Sequence, residues 1–296
     1  MRTHRKRRGG LVAVVLGAVL SWTAHPFSAA AATPAETALP GASSSAAARR
    51  DAIQSIPRER LDAEARAKVD SVLGNITVFR RFPTRMITCD PDLYLFVVRH
   101  PDVVVNIWEA LGLSQLQFRQ TGPDTYHAAE TAGTAATLEF LYHTKDTQVV
   151  YGQWSYIGPL LPRAIRGRCL AALRSSYAHH SDGRYAITSR LDGFLTVEPG
   201  GAELLTKALH PLVVKNADYN FVQTVGFVGS LSRTAEANSR GLERLALRLT
   251  NVQPDIRRQF AEVVAGVAER AAMLAGESHA TSAAMLSGRP SGPSAQ

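Results

Sequence analysis

Four groups of residues in this chain have types and spacings that could do chemistry. His179-His180 with Asp182 supplies the atoms of a metal site, but the stretch is also a predicted hairpin tip, where the same residues serve as solvated turn residues. Asp90, Asp92 and Asp102 stand near His100 and could serve acid–base chemistry. Asp90 before Pro91 reads equally as a helix cap, with the other two as first-turn acids at the positive end of a helix. Lys207, His210, Lys215, Asp218, Tyr219 and Asn220 flank the start of a long helical pattern. Polar residues there could bind the polar end of a ligand or hydrogen-bond the entry loop. Arg166, Arg168 and Arg174 share strand parity, as do Arg190 and Asp192 on the next strand, which suits cross-strand pairs on a solvated outer face.

Motif-dependent enzymes are disfavoured. The chain has no G-x-S-x-G elbow, no G-x-x-x-x-G-K-[ST] loop, no H-E-x-x-H and no dinucleotide glycine fingerprint. No catalytic residue and no metal ligand is assigned, and no cofactor is required.

The elements that must position these residues follow from hydrophobic periodicity. Pro57 to Leu73 reads as a helix with Leu61, Ala65, Val69 and Leu73 in one stripe. Ile76 to Ile87 reads as a strand. Asp90-Pro91 opens a helix with Tyr94, Val97 and Val98 on its apolar face, and His100-Pro101 breaks and restarts the pattern. Val104, Ile107, Trp108 and Leu111 form the second stripe, which Gly112 ends. From Ser114 to Glu198 the period drops to two, through successive hairpins with Asp182-Gly183 at one turn, which predicts an antiparallel meander. Helix then returns, with Val214, Ala217, Phe221, Val225, Val228, Leu231 and Ala235 on one face. Gly226 and Gly229 inside it point to close packing against a sheet. Pro254 to Leu274 is a further helix.

Composition narrows the setting. The basic head from Arg2 to Arg8, the apolar run from Leu11 to Leu20 and the small residues through Ala32 have the layout of a cleaved signal peptide, which predicts a periplasmic or secreted protein. An uncleaved N-terminal anchor is the alternative. The chain has 33 Lys and Arg against 25 Asp and Glu, but residues 1–30 hold five of the basic residues and no acid, so the remainder carries only +3. Nucleic-acid binding thereby loses its electrostatic support. The two cysteines, Cys89 and Cys169, are expected to pair as a disulfide in an exported protein, the alternative being two small buried hydrophobes.

The order strand, two short helices, antiparallel meander and long amphipathic helix is similar to the helix-grip domain of the START and polyketide-cyclase-like (SRPBCC) superfamily. The stretches CDPDLYLFVVRHPDVVVNIWEALG, SYIGPLLPRAIRGRC and KALHPLVVKNADYNFV also look like those of an uncharacterised family of exported bacterial proteins. The first resemblance implies an α+β fold in which a curved antiparallel sheet wraps a long C-terminal helix and leaves a cavity for an apolar or lipid-like molecule. Some members are cyclases or hydrolases, and no catalytic residue carries over.

The expected layout is a signal peptide over 1–32, a linker and N-terminal helix over 33–75, the helix-grip domain over 76–236, a C-terminal helical extension over 237–277 and a disordered tail over 278–296. The leading expectation is an exported carrier whose cavity is walled by Phe140, Tyr151, Trp154 and Phe221, with Lys215, Asp218 and Asn220 orienting the polar end of the ligand. Its partner is that small molecule and no nucleic acid, with transient membrane contact allowed. A cofactor-free cyclase or hydrolase would need a carboxylate or histidine pointing inward. An interaction module would have a filled core and offer the Pro57–Leu73 and Pro254–Leu274 helices to a partner.

Overall fold

The computed structural model describes residues 39–131, 133–157, 164–199 and 210–287, with the side chains of 210–216 and 277–287 outside the description. The expected signal peptide therefore lies outside the described residues. Helix α1 (Ala46–Gln54) starts at Ser45, whose hydroxyl accepts from the Ala48 amide, so the stretch expected to be linker turns helical at its end. Pro57 leads only a single 3-10 turn (Arg58–Arg60). Leu61 is extended, and α2 (Ala63–Leu73) begins instead at Asp62, whose carboxylate accepts from the Ala65 amide.

The expected strand over 76–87 is two, β1 (Val78–Arg81) and β2 (Arg85–Thr88), separated at Pro83, which has no amide to give a ladder. Helices α3 (Pro91–Arg99) and α4 (Pro101–Ala110) follow, with Asp90 capping α3 through the amides of Asp92 and Leu93. The meander is β3 (Gln117–Gly122), β4 (Thr125–Glu130), β5 (Thr134–His143), β6 (Thr147–Tyr156), β7 (Ile165–His179) and β8 (Tyr185–Val197). These six pair in sequence order and antiparallel, while β1 and β2 lie end to end along the free edge of β8. The result is the expected α+β fold, a curved eight-stranded antiparallel sheet with six α-helices among the described residues.

Helix α5 (His210–Ala246) crosses the concave face of the sheet. Gly229 allows the approach, since a Cβ there would lie 3.3 Å from Ile87 Cβ; Gly226 faces open space. The helix kinks at Asn238, which has non-helical backbone angles. Beyond the kink, Leu242, Ala246, Leu249 and Val252 join Phe260, Val264 and Val267 of α6 (Pro254–Ser287) in the same core as the sheet. The C-terminal helices thus extend the main core. Helix α6 also runs past residue 277, where a disordered tail was expected, through a segment with Ala280, Ala283, Ala284, Met285 and Leu286, which favour helix. No helix among the described residues is long and apolar enough to cross a membrane.

The convex face is covered as well. Ala52 and Ile56 from α1 and its following turn, with Leu61, Ala65, Val69 and Val72, pack on Val149, Tyr151, Leu170, Ala172 and Phe194. The molecule is three layers: N-terminal helices, sheet, then α3 to α6.

Candidate functional site

Alternation along the strands and helical spacing in α5 converge on one apolar cavity between the concave face and the helices. Phe118, Tyr126, Leu138, Phe140, Val150, Cys169, Ala171, Leu173 and Leu191 face it from the sheet, and Val97, Val98, Pro101 and Val104 line it from α3 and α4. Phe221, Thr224, Val225 and Val228 line it from α5 at the i, i+3, i+4, i+7 spacing of one helix face. The cavity is about 190 Å³. An apolar cavity of ~150 Å³ stays dry and admits a benzene ring, so this one has the volume of a molecule of single-ring size.

Polar groups in the wall are few and neutral. The Tyr94 hydroxyl bonds Ser175 Oγ at 2.7 Å and Ser189 Oγ at 2.8 Å. Gln148, only 2% exposed, donates from Nε2 to the Thr144 carbonyl at 2.5 Å, and its Oε1 has no protein partner. Thr224 donates its hydroxyl to the Asn220 carbonyl. Burial pushes the Cys169 thiol up to about 12, so it stays protonated. No acidic or basic side chain is among the lining residues.

Of the expected wall residues, Phe140 and Phe221 do line the cavity. Trp154 is on the concave face but beyond the cavity, with its ring against Gly167, where a Cβ would come within 2.6 Å of the indole. Tyr151 is on the opposite face, packed with Leu170 and Phe194 under the N-terminal helices. Positions 151 and 154 have opposite parity in β6, and a regular strand cannot turn both rings to one side.

The expected polar anchors are not brought to the cavity. Asp218 pairs with Arg80 of β1, whose Nε lies 3.0 Å from Oδ1. Asn220 is buried but does not line the cavity, and the Lys215 side chain lies outside the described residues, as does Lys207. The polar residues Tyr94, Gln148, Ser189 and Thr224, which do line it, were missed. Gln148 shares parity with Val150, and that polar residue at an inward position was the available signal.

The expected Cys89–Cys169 bridge is absent and both thiols are free. Cys89 sits beside Tyr185 at the start of β8, and its thiol donates to the Asp90 carbonyl. Cys169 pairs with Leu195, ten residues further along β8. At ~3.3 Å per residue that is roughly 30 Å of strand, while a disulfide spans ~4.4–6.8 Å between Cα atoms.

The other candidate groups resolve into structural roles. Asp90 accepts from Arg270 of α6 at 2.8 Å and Asp92 pairs with the same guanidinium at 3.2 Å. Asp182 accepts from the Arg184 amide in the hairpin turn, and no group of three metal-ligating side chains occurs among the described residues. The tip is not simply solvated, because Gly183, at a φ of 81°, packs under Leu274 of α6. The arginine face is covered too. Asp192, 0% exposed, accepts from Arg81 at 2.6 Å and Arg174 at 3.1 Å, and Asp51 of α1 joins Arg81 at 2.7 Å and Arg190 at 3.3 Å. The hydrogen bond from Arg81 holds the Asp51 carboxyl below its usual range.

Asp102 is also 0% exposed, and no side chain donates to its two carboxylate oxygens. Burial pushes it up to about 6, an effect the amides of Asp102 and Val103 offset only in part. It adjoins the cavity-lining Pro101 without lining the cavity itself.

No family model and no curated protein matches this chain. Among solved structures, it is similar to the Mll3558 protein from Rhizobium loti at 14% identity and a TM-score of 0.29, over 47% of this chain and 97% of that one. It is also similar to the hypothetical protein jhp0584 from Helicobacter pylori at 10% identity and a TM-score of 0.35, over 54% of this chain and 93% of that one. These neighbours are uncharacterised bacterial proteins that share an antiparallel sheet with helices.

Proposed function

We propose that this protein is an exported carrier that holds an apolar small molecule between its curved sheet and α5, in the manner of the START and polyketide-cyclase-like superfamily that its element order resembles. The supporting observation is the cavity itself, an apolar space of about 190 Å³ in a sheet whose other face is fully packed. Close-packed interiors rarely leave spaces much larger than a water molecule, so an apolar recess of this size fits a ligand site. The enzyme alternative calls for an inward carboxylate or histidine, and none is among the lining residues. An interaction module would offer α2 and α6 to a partner, yet both turn an apolar face to this protein's own core.

Native mass spectrometry of the mature protein, purified from its exported compartment, followed by solvent extraction tests the carrier reading. The expected result is a stoichiometric apolar adduct that leaves on extraction. A clean apo mass, together with no uptake of toluene in solution, would sink it.

A further inference from the structure

The walls of the cavity are uneven. Gln148 of β6 pairs with Leu173 of β7, and two residues further along β7 Ser175 pairs with Ser189 of β8, so the polar groups gather toward one end. The amide orientation of Gln148 is determined by its neighbour: the Thr144 carbonyl can only accept, so Nε2 must point to it, and the acceptor Oε1 is left without a protein partner. A buried acceptor without a donor costs ~1–3 kcal/mol. The hydroxyl cluster has the complementary surplus. Tyr94, Ser175 and Ser189 carry three hydroxyl protons and share two hydrogen bonds in which either partner can donate, so the hydroxyls can turn to put the spare proton on Tyr94 or Ser189, the two that line the cavity. That end therefore presents one acceptor and one donor, both neutral, and no ionised group to offset an anion or a cation.

Resting on the carrier reading, we propose that the ligand is a neutral molecule of single-ring size bearing a hydroxyl group, with the ring toward Phe118 and Val228 and the hydroxyl at the Gln148–Ser189 end. A hydroxyl is the smallest neutral group that both donates and accepts. A carboxylate would enter a site with no cation to meet it, and the cost of desolvating an unpaired charge is prohibitive.

The test uses the full mature chain and three probes that share one ring: toluene, benzyl alcohol and benzoate, each titrated by calorimetry. Benzyl alcohol is expected to bind about tenfold more tightly than toluene, the worth of one well-made hydrogen bond, and benzoate is expected not to bind. Gln148→Leu should abolish that tenfold preference, read as the ratio of the benzyl alcohol and toluene affinities within the variant. Gln148→Met, which keeps the side-chain length, replaces it if the leucine variant does not fold. Equal affinities for toluene and benzyl alcohol in the unmodified protein would overturn the hydroxyl assignment and leave the carrier reading intact. Tight benzoate binding would overturn it too. Failure of all three probes to bind would overturn both.

Discussion

The two faces of one sheet are finished in opposite ways. On the convex side, α2 presses Val69 and Val72 onto Leu170 and Phe194, and beside them Asp192 and Asp51 pair with three arginines, Arg81, Arg174 and Arg190. On the concave side the same strands meet four helices and still leave an apolar space without any charge in its wall. Neighbouring residues of one strand therefore live in different chemistry: Ala171 faces the cavity while Ala172 is locked in the convex cluster. A strand residue's role here is decided by its parity and by what lies across from it, and its residue type says much less.

The sharpest way to break the contrast is at Asp192. Asp192→Ala leaves Arg81 and Arg174 half-buried without their main partner, and breaking a buried charge network in this way costs ~3–5 kcal/mol. Urea denaturation should show that loss, with affinity for an apolar probe unchanged where the variant remains folded.

Asp102 gives the next largest effect, on the concave side. The folded protein keeps its proton up to about pH 6, whereas the unfolded chain releases it near 3.8, so the folded state binds more protons across that window. Stability must fall as pH rises from about 4 to about 6 and then level off, by ~3 kcal/mol from this group. Asp102→Asn should flatten that part of the stability curve, read by chemical denaturation across the window. A curve unchanged by the substitution would contradict the burial of Asp102.

A paired substitution tests the faces directly. Ala172→Leu adds volume to a filled layer and should cost ~1–3 kcal/mol. Ala171→Leu adds the same atoms to open space, so its melting temperature should stay close to the parent's while toluene uptake falls at least tenfold. If both substitutions are equally costly, the cavity is filled in solution. The smallest effect is expected from a reductant: with Cys89 and Cys169 free, dithiothreitol should leave the melting temperature unchanged.

Much of this architecture was legible beforehand because it is written in local patterns. The Asp90 cap, the His100-Pro101 corner, the Asp182-Gly183 turn and the period-two run between them mark their elements without reference to anything distant. The wall residues were only partly legible. Phe140 and Phe221 were found, but Tyr151 was chosen for its aromatic character against its parity, and Trp154 lies beyond the space that the helices leave. Asp218 looked like a ligand anchor until β1 brought Arg80 to it from far away in the chain. The bridge between Cys89 and Cys169 was a matter of cysteine count alone, and counting says nothing of where along β8 each one sits.

Sequence by itself determined helices α3 and α4, the order of the meander and which residues of each strand share a face, because caps, turns and periodicity act over a few residues. Tertiary structure alone decided that α1 and α2 would cover the outer face, that α5 would stand off the sheet far enough to leave a cavity, and that Gln148 would enter it with a free acceptor. Those outcomes depend on the curvature of eight paired strands and on the summed volumes of side chains far apart in the chain, which no local pattern encodes.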